Sequence, residues 1–227
     1  MAIMILNCTY HGKDEIGVLT NTFRDLTAYL KVYITELNDL AFADALTSLH
    51  NKGAFDRCLQ EIERDPHDSE EQLASAICIF DCNDLKKIND RYGHDKGDIY
   101  LRRSAKTICE FYDHSPVFRI GGDEFAAVLT GRDYRDREEL LKRFDEECMA
   151  RRMLERDDWE KIDVSRGMAV YDSRKDETIS DVVRRADKLM YEYKWMWKHH
   201  LDPGSVPEAE RDDVTGLRTR HAFQKGF

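Results

Sequence analysis

The longest regular pattern of apolar residues lies near the start of the chain. Apolar side chains recur at alternating spacings of three and four residues: Ile16, Leu19, Phe23, Leu26, Leu30, Tyr33, Leu37 and Leu40. This repeat predicts a helix of about 25 residues, roughly 37 Å long, with one narrow apolar seam. Such a seam is typical of a parallel coiled coil with an identical helix, and packing of the seam on the chain's own domain is the alternative.

After this helix, short apolar runs alternate with amphipathic segments. Residues 44–62 predict a turn followed by a helix, and the continuous apolar run at 73–80 predicts a buried strand that ends at Asp81. Helix-spaced apolar positions follow over residues 84–92 and 99–112. The polar sequence GHDKGD, residues 93–98, is predicted to be a loop between these two helices.

The sequence VFRIGGDEFAAVL, residues 117–129, predicts a β-hairpin whose tight turn is Gly121-Gly122. A charged helical stretch is predicted for 135–156, a strand for 162–172 and a final amphipathic helix for 179–200. This order predicts an α+β fold in which a mainly antiparallel sheet packs against flanking helices. The long coiled-coil helix precedes that domain.

The last residues of the chain repeat an earlier motif. DDVTGLRTRHAF, near residues 212–223, matches DALTSLHNKGAF, residues 44–55, with five identities at one constant offset. A constant offset indicates a repeat, and chance similarity between two turn-helix starts is the alternative. The sequence DPGSVPEAE before it breaks both helix and strand. We therefore predict a domain over 42–200, a linker over 201–211 and the truncated start of a second copy over 212–227.

Charge and cysteine content narrow the possible partners. The formal net charge of −10 disfavours nucleic acid and anionic membrane surfaces, since both usually bind a basic face. A phosphate ligand would have to be met locally, by a metal ion or a few lysines. The six cysteines lack zinc-site spacing, which fits reduced thiols in the cytoplasm, and no apolar stretch is long enough to span a bilayer.

Three acidic residues lie where predicted strands end or turn. Asp81 follows the buried strand, and the pair Asp123-Glu124 follows the glycines of the hairpin. If the two strands are neighbours, these carboxylates form an anionic pocket that requires a cation, and hard oxygen ligands favour Mg²⁺ or Mn²⁺. Such a site can activate a hydroxyl for phosphoryl transfer. An ordinary glycine hairpin with solvated acids is the alternative.

Five separated motifs favour the metal site over the ordinary hairpin. They are DALTSLHNKGAF, FDCNDLKKINDRYGHDKGD, RIGGDEF, VSRGMAVYD and ADKLMYEYK, which lie between residue 44 and about residue 198. In this order they resemble the GGDEF family of diguanylate cyclases. The resemblance implies the palm-like fold shared with nucleotide cyclases and polymerases, and condensation of two GTP molecules into cyclic di-GMP. In addition, DEIGVLTNTFRDL, residues 14–26, resembles the second helix of a HAMP signalling module, so that residues 1–13 would end a HAMP-like connector and 14–41 would form a coiled-coil signalling helix.

The GGDEF resemblance implies a role for each residue that matches a family position. The two metal ions of each half-site, Mg²⁺ or Mn²⁺, would be bound by Asp81 and Asp123 with help from the Cys82 carbonyl and Glu124, and Asp123 would also deprotonate the attacking 3′-hydroxyl. Guanine would be recognised by Asn89 and Asp98, and the triphosphate by Lys86, Lys194 and Lys198. Taken singly, these residues also suit helix caps or solvated helix positions.

The chain departs from the family pattern at three places. Asn83 stands where a second aspartate is usual, and Lys198 stands where arginine is common. At the Arg-x-x-Asp inhibitory product site, this chain has 112–115 as Tyr-Asp-His-Ser, so no product-inhibition site is expected. Two hypotheses follow: an active homodimeric cyclase, paired through the coiled coil and the GGDEF domains and forming the cytoplasmic part of a larger membrane receptor, or a catalytically silent module that binds GTP.

Overall fold

The structure is a computed structural model that describes residues 14–64 and 75–199. The segments predicted as connector, linker and second copy, residues 1–13, 201–211 and 212–227, lie outside the described residues. The chain divides into two compact units, Met1–Ala43 and Asp44–Phe227. Each unit is described below by itself.

The first unit contains one long helix, α1, over Glu15–Phe42. Its N-terminus is capped by Asp14, whose Oδ1 accepts a hydrogen bond from the backbone N–H of Gly17 at 2.9 Å. At 28 residues the helix is about 42 Å long, which confirms the predicted N-terminal helix. The seam side chains are exposed, Leu26 to 53% and Leu30 to 45%. Within the described residues, no helix is both long and apolar enough to cross a bilayer.

The second unit contains five strands and six helices among its described residues. In chain order these are β1 (His50–Asn51), α2 (Lys52–Arg64), β2 (Ala76–Cys82), α3 (Leu85–Tyr92), α4 (His94–Phe111), β3 (Val117–Arg119), β4 (Glu124–Leu129), α5 (Gly131–Arg135), α6 (Arg137–Leu154), β5 (Val164–Val170) and α7 (Ile179–His199). The strands form one sheet in the order β1-β3-β4-β2-β5. Only the short β1 pairs in parallel, with β3, and the other three pairings are antiparallel. The predicted α+β fold with a mainly antiparallel sheet is confirmed.

The sheet is buried on both faces. All seven residues of β2 are buried, and their side chains alternate between two apolar clusters. Phe80 packs with Tyr112 and Phe144 on one face, whereas Ile77 and Ile79 belong to the cluster on the other. A strand buried on both faces reads as a continuous apolar run, which is why the sequence identified β2 so clearly.

Three local predictions were wrong. Strand β1 was not predicted, because two residues leave no periodic pattern. Residues 94–98 are helical, since Gly93 alone, with φ of +84°, ends α3 and allows α4 to begin at His94. The hairpin turn is wider than two residues: the N–H groups of Ile120 and Gly121 both donate to the carbonyl of Glu124, so Asp123 also lies in the turn.

Helix α7 lies directly on β5 because Gly167 has no side chain. A Cβ at this position would lie 2.0 Å from the backbone nitrogen of Met190 and 2.2 Å from the carbonyl oxygen of Ala186. This close approach fixes the height of α7 above the sheet. It thereby sets where Lys194, one turn after Met190, reaches the end of β2.

Candidate active site

The predicted acids converge where strands β2 and β4 meet at one end of the sheet. Strands β2 and β4 are neighbours, and Asp81 is directly opposite Glu124 in their register. The backbone N–H of Cys82 donates to the carbonyl of Asp123 at 2.9 Å, which extends the pairing into the hairpin turn. The structure therefore brings Asp81 to the Asp123–Glu124 pair, which begins 42 residues later in sequence, because the two strands are neighbours.

Burial and mutual repulsion disfavour charge on these acids. Asp81 is 7% exposed. Its burial raises its pKa, and the charge of Asp123 acts in the same direction, while Lys194 and Lys198 lower it. Burial also raises the pKa of Glu124, with added repulsion from Asp123 and Asp81. Metal-free, the site is thus short of positive charge, and a hard divalent cation would supply it.

Lys194 is the nearest cation to these acids. Its Nζ lies 2.6 Å from Oδ1 of Asp81, in a pair whose side chains are 23% and 10% exposed. Lys198, one turn later on α7, also acts electrostatically on Asp81. The structure brings both predicted lysines to the acids. Lys86 is exposed on α3 and makes no ion pair among the described residues.

A fourth acid was missed by the sequence reasoning. The charge of Asp187 contributes to the raised pKa of Glu124, and its own pKa is raised by burial and by Asp81. Asp187 precedes Lys194 by seven residues on α7, so two helical turns place both on one face. That spacing was the available signal, and it lay within the motif ADKLMYEYK.

The residues expected to recognise guanine lie on two helices that pack together. Asn89 is on α3, and Asp98 follows Gly97 on α4. The Asn89 side chain lies so close to Gly97 that a Cβ there would be 1.9 Å from Asn89 Oδ1. This oxygen is buried and has no hydrogen-bond partner among the described residues. An acceptor left without a donor costs free energy unless a ligand supplies one.

Asn83 has a structural explanation that the sequence did not reveal. It is 5% exposed. Its Nδ2 donates to Asp163 Oδ1 at 2.8 Å, and its Oδ1 accepts from the Ser165 hydroxyl at 3.0 Å. The Asn83 amide thus donates to the residue just before β5 and accepts from a residue within β5. An aspartate at position 83 could not donate to Asp163. Asparagine in place of the usual aspartate therefore suits the acidic residue beside it.

This network gives a stability prediction. Asn83→Asp should destabilise the fold by about 1–3 kcal/mol at neutral pH, because it places a buried carboxylate against that of Asp163. The double variant Asn83→Asp/Asp163→Asn exchanges donor and acceptor, and should recover most of the loss. Urea unfolding of the single and double variants measures both effects. Equal destabilisation in the two variants would contradict this account.

The hairpin turn is tied to the first residue of the second unit. Arg119 Nη1 lies 3.0 and 3.2 Å from the two carboxylate oxygens of Asp44, and Arg119 Nη2 donates to the carbonyl of Gly122 at 2.7 Å. Burial alone would raise the pKa of Asp44, but hydrogen bonds from Thr47 and the charge of Arg119 hold it below its usual value. One guanidinium thus joins the DALT turn to the loop that carries Asp123.

The Cys82 thiol is not available as a ligand. It is fully buried on β2, and burial raises its pKa to about 12. The thiol stays protonated near neutral pH, whereas metal ions bind the thiolate. Any contribution from this residue must come from its backbone, as the resemblance implied.

A cleft of about 610 Å³ is lined in part by residues of α3. Its lining includes Lys87, Arg91, Arg152 and Lys161. Each of these cations is paired with an aspartate, with Asp84, Asp158, Asp163 and Asp158 respectively. The lining residues include Asn83, but none of the residues predicted to bind metal, guanine or triphosphate.

Comparison with known proteins decides the family. Residues 41–198 match the family described as "Diguanylate cyclase, GGDEF domain". This chain belongs to the GGDEF family. The match covers every residue of the candidate active site, and the GGDEF sequence itself is the loop that carries Asp123 and Glu124.

Individual relatives agree with this assignment. The GGDEF chain is 36% identical over 126 residues to the diguanylate cyclase TpbB of Pseudomonas aeruginosa, covering 52% of this chain and 28% of TpbB. It is similar to the crystal structure of the GGDEF domain of DgcB from Caulobacter crescentus in complex with c-di-GMP, with a TM-score of 0.57, 28% identity, and coverage of 68% and 88% of the two chains. The DgcB structure that includes the coiled coil has a TM-score of 0.61 at 24% identity and covers 80% of this chain and 95% of that one. The chain spans about a quarter of the length of TpbB.

Proposed function

We propose that this GGDEF protein is a diguanylate cyclase that condenses two GTP molecules into cyclic di-GMP and two pyrophosphates. The observation that carries the proposal is the register of β2 with β4, which sets Asp81 opposite Glu124 beside the turn of Asp123. The names of relatives such as TpbB, and the cyclic di-GMP bound by DgcB, support the same activity.

The donor set at this site fits a hard divalent cation. Asp81, Asp123 and Glu124, with the backbone carbonyl of Cys82, offer only oxygen ligands for two Mg²⁺ or Mn²⁺ ions. When bound, such ions neutralise phosphate charge and make a hydroxyl easier to deprotonate. Burial and mutual repulsion, which raise the pKa values of Asp81 and Glu124, are consistent with a cation at this position.

The protein's own groups position and activate the substrates. Asp123 accepts the proton of the 3′-hydroxyl of one GTP as its oxygen attacks the α-phosphorus of the other, and pyrophosphate leaves. The 3′-hydroxyl of the second GTP then attacks the α-phosphorus of the first, which closes the ring and releases the second pyrophosphate. The triphosphate is bound by three lysines, Lys86, Lys194 and Lys198. Their side chains provide the positive charge that an acidic protein otherwise lacks.

Guanine selection is assigned to Asn89 and Asp98. The unpaired Asn89 Oδ1 supplies an acceptor, and the Asp98 carboxylate can accept from the N1–H and N2–H groups of guanine. Adenine presents an acceptor instead of a donor at N1 and has no 2-amino group, so the Asp98 carboxylate would lose both of these hydrogen bonds with it. This difference gives a preference for GTP over ATP.

Asp98→Ala should therefore weaken GTP binding by roughly 1–3 kcal/mol, the value of a charge-assisted hydrogen bond. Asp95→Ala is the matched control, since it removes an exposed acid from the first turn of the same helix. Calorimetric titration with GTP, using a non-hydrolysable analogue if turnover interferes, measures both. The assignment fails if the two variants bind GTP equally well.

The signalling arrangement is also a proposal. The exposed seam of α1 supports a parallel homodimer, in which each GGDEF domain holds one GTP and the two half-sites face each other. The resemblance of residues 14–26 to a HAMP helix supports control by an upstream module, residues 1–13 ending that module and 14–41 forming the signalling helix. We place the 42–200 domain in the cytoplasmic part of a larger membrane receptor, followed by a linker and the start of a second GGDEF copy from residue 212.

The deciding experiment is incubation of the protein with GTP and Mg²⁺, followed by mass analysis for cyclic di-GMP. An active cyclase produces cyclic di-GMP and pyrophosphate in a ratio of one to two. A silent module binds GTP in a parallel titration without producing either. That second result would contradict the proposed activity while leaving the nucleotide site intact.

A further inference from the structure

A second group of metal-type ligands lies at the base of the catalytic hairpin. Asp113 and His114 lie between α4 and β3, and Asp133 lies in α5, just after β4. One ligand atom from each of these residues lies within 4.8 Å of the others. Asp133 follows Asp113 by 20 positions and His114 by 19, and the two segments lie at opposite ends of the β3–β4 hairpin.

Asp133 is the unusual member of this group, because it is a carboxylate that is only 2% exposed. Its Oδ2 accepts a hydrogen bond from the backbone N–H of His114 at 3.1 Å, and its Oδ1 lies 3.4 Å from His114 Nδ1. In the part of the chain that the structure describes, its only ion-pair partner within 4.0 Å is this histidine. A buried carboxylate is costly unless a cation balances it.

The second carboxylate makes this imbalance larger. Asp113 Oδ1 also contacts His114 Nδ1, so two acids share one imidazole nitrogen. A protonated imidazole can carry at most one positive charge, and its Nδ1–H can point at only one of the two oxygens. The group therefore contains one more negative charge than its own residues can balance.

We infer that Asp113, His114 and Asp133 form a separate binding site for a divalent transition-metal ion, of which Zn²⁺ is the best match. Imidazole nitrogen combined with carboxylate oxygen suits Zn²⁺, whereas the all-oxygen catalytic site suits Mg²⁺ or Mn²⁺. Ligands about 2.0–2.1 Å from a tetrahedral ion are about 3.3 Å apart, close to the 3.4 Å between His114 Nδ1 and Asp133 Oδ1.

The remaining geometry is compatible with this inference. The side chains of Asp113 and His114 are 64% and 49% exposed, so an ion can enter from solvent and Asp113 can move back to make room. Water would complete the four ligands.

Such a site would close the base of the hairpin. At present the two ends are joined there by the hydrogen bonds from Val128 N to the Pro116 carbonyl at 3.1 Å and from Thr130 N to the Ser115 hydroxyl at 3.3 Å. A metal ion bound by His114 and Asp133 adds a stronger link between the same segments. The hairpin whose tip carries Asp123 and Glu124 would then be fixed at its base by a different metal from the one at its tip.

The test is calorimetric titration of the chelator-treated full chain with Zn²⁺, in excess Mg²⁺ so that the all-oxygen site is occupied. We expect one Zn²⁺ per chain, together with a rise in melting temperature. His114→Ala should remove this binding event. Asp133→Asn should weaken it by more than the roughly 10- to 100-fold that loss of an outer-shell partner costs. His94→Ala, which removes an exposed histidine from α4, is the matched control and should bind like the wild type.

Two results would overturn the inference. The first is no Zn²⁺ uptake by the wild-type chain in excess Mg²⁺, which would mean that Asp113, His114 and Asp133 are stable together without a metal ion. The second is uptake by His114→Ala with wild-type affinity. The Asp133 variant changes a buried residue and so also affects stability, whereas His114 is half exposed and its variant keeps the test decisive.

Discussion

Asp123→Ala is expected to abolish cyclic di-GMP formation while leaving the fold intact. Loss of the general base alone costs about 10²- to 10⁴-fold in rate, and the same change removes a metal ligand. The fold should survive because Asp123 lies in a turn, and its charge contributes to the repulsion that raises the pKa of both Asp81 and Glu124. Removing it should relieve that repulsion rather than break a contact.

The matched control is Asp56→Ala, which removes an exposed acid from α2. Product formation is followed by mass, and folding by circular dichroism and thermal melting. We expect the control to retain wild-type turnover and Asp123→Ala to melt no lower than the wild type. Turnover by Asp123→Ala at the wild-type rate would rule out its assignment as base and ligand.

Leu26→Asp/Leu30→Asp is expected to eliminate turnover in dilute protein while each chain still binds GTP. In a parallel coiled coil these changes bury like charges in the seam, at about 3–5 kcal/mol for each uncompensated charge, which is more than 100-fold in the dimer dissociation constant. Separated half-sites cannot react, because a 3′-hydroxyl must come within roughly 3–3.5 Å of the partner's α-phosphorus.

Helix α1 provides its own control for this prediction. Val18→Asp/Val32→Asp introduces the same charge at exposed apolar positions outside the seam. Sedimentation, GTP titration and turnover across a dilution series separate pairing from binding. If the seam variant is monomeric and still forms cyclic di-GMP at the wild-type rate, catalysis does not require two chains. If both variants lose activity equally, charge on the helix rather than the seam is responsible.

The sequence predicted most of the fold because its patterns are local. The buried run of β2, the glycine hairpin and the amphipathic α7 each have a period or a turn signal within about 20 residues. Strand β1 has neither, since only two residues pair with β3. The restart of a helix at His94 depends on the backbone angle of a single glycine, and six polar residues gave no sign of it.

The residues of the candidate site could likewise be predicted only where local sequence motifs mark them. Family motifs identified Asp81, Asp123 and Lys194, because these residues recur at fixed distances from recognisable neighbours. Asn83 was judged as a lost acid, since its partner Asp163 is 80 residues away in sequence and only the pairing of β2 with β5 brings them together. The His114–Asp133 contact was missed for the same reason, as it depends on both ends of a hairpin.

The ion pair between Lys194 and Asp81 has a thermodynamic consequence. Each group is now the counter-ion of the other, so a cation that binds Asp81 leaves an ammonium without its anion, and a phosphate that attracts Lys194 leaves a carboxylate without its cation. Only a ligand that brings both charges compensates both residues at once. Metal and nucleotide should therefore each increase the affinity of the site for the other by the same factor, and the protein would take up the metal–nucleotide complex as one unit.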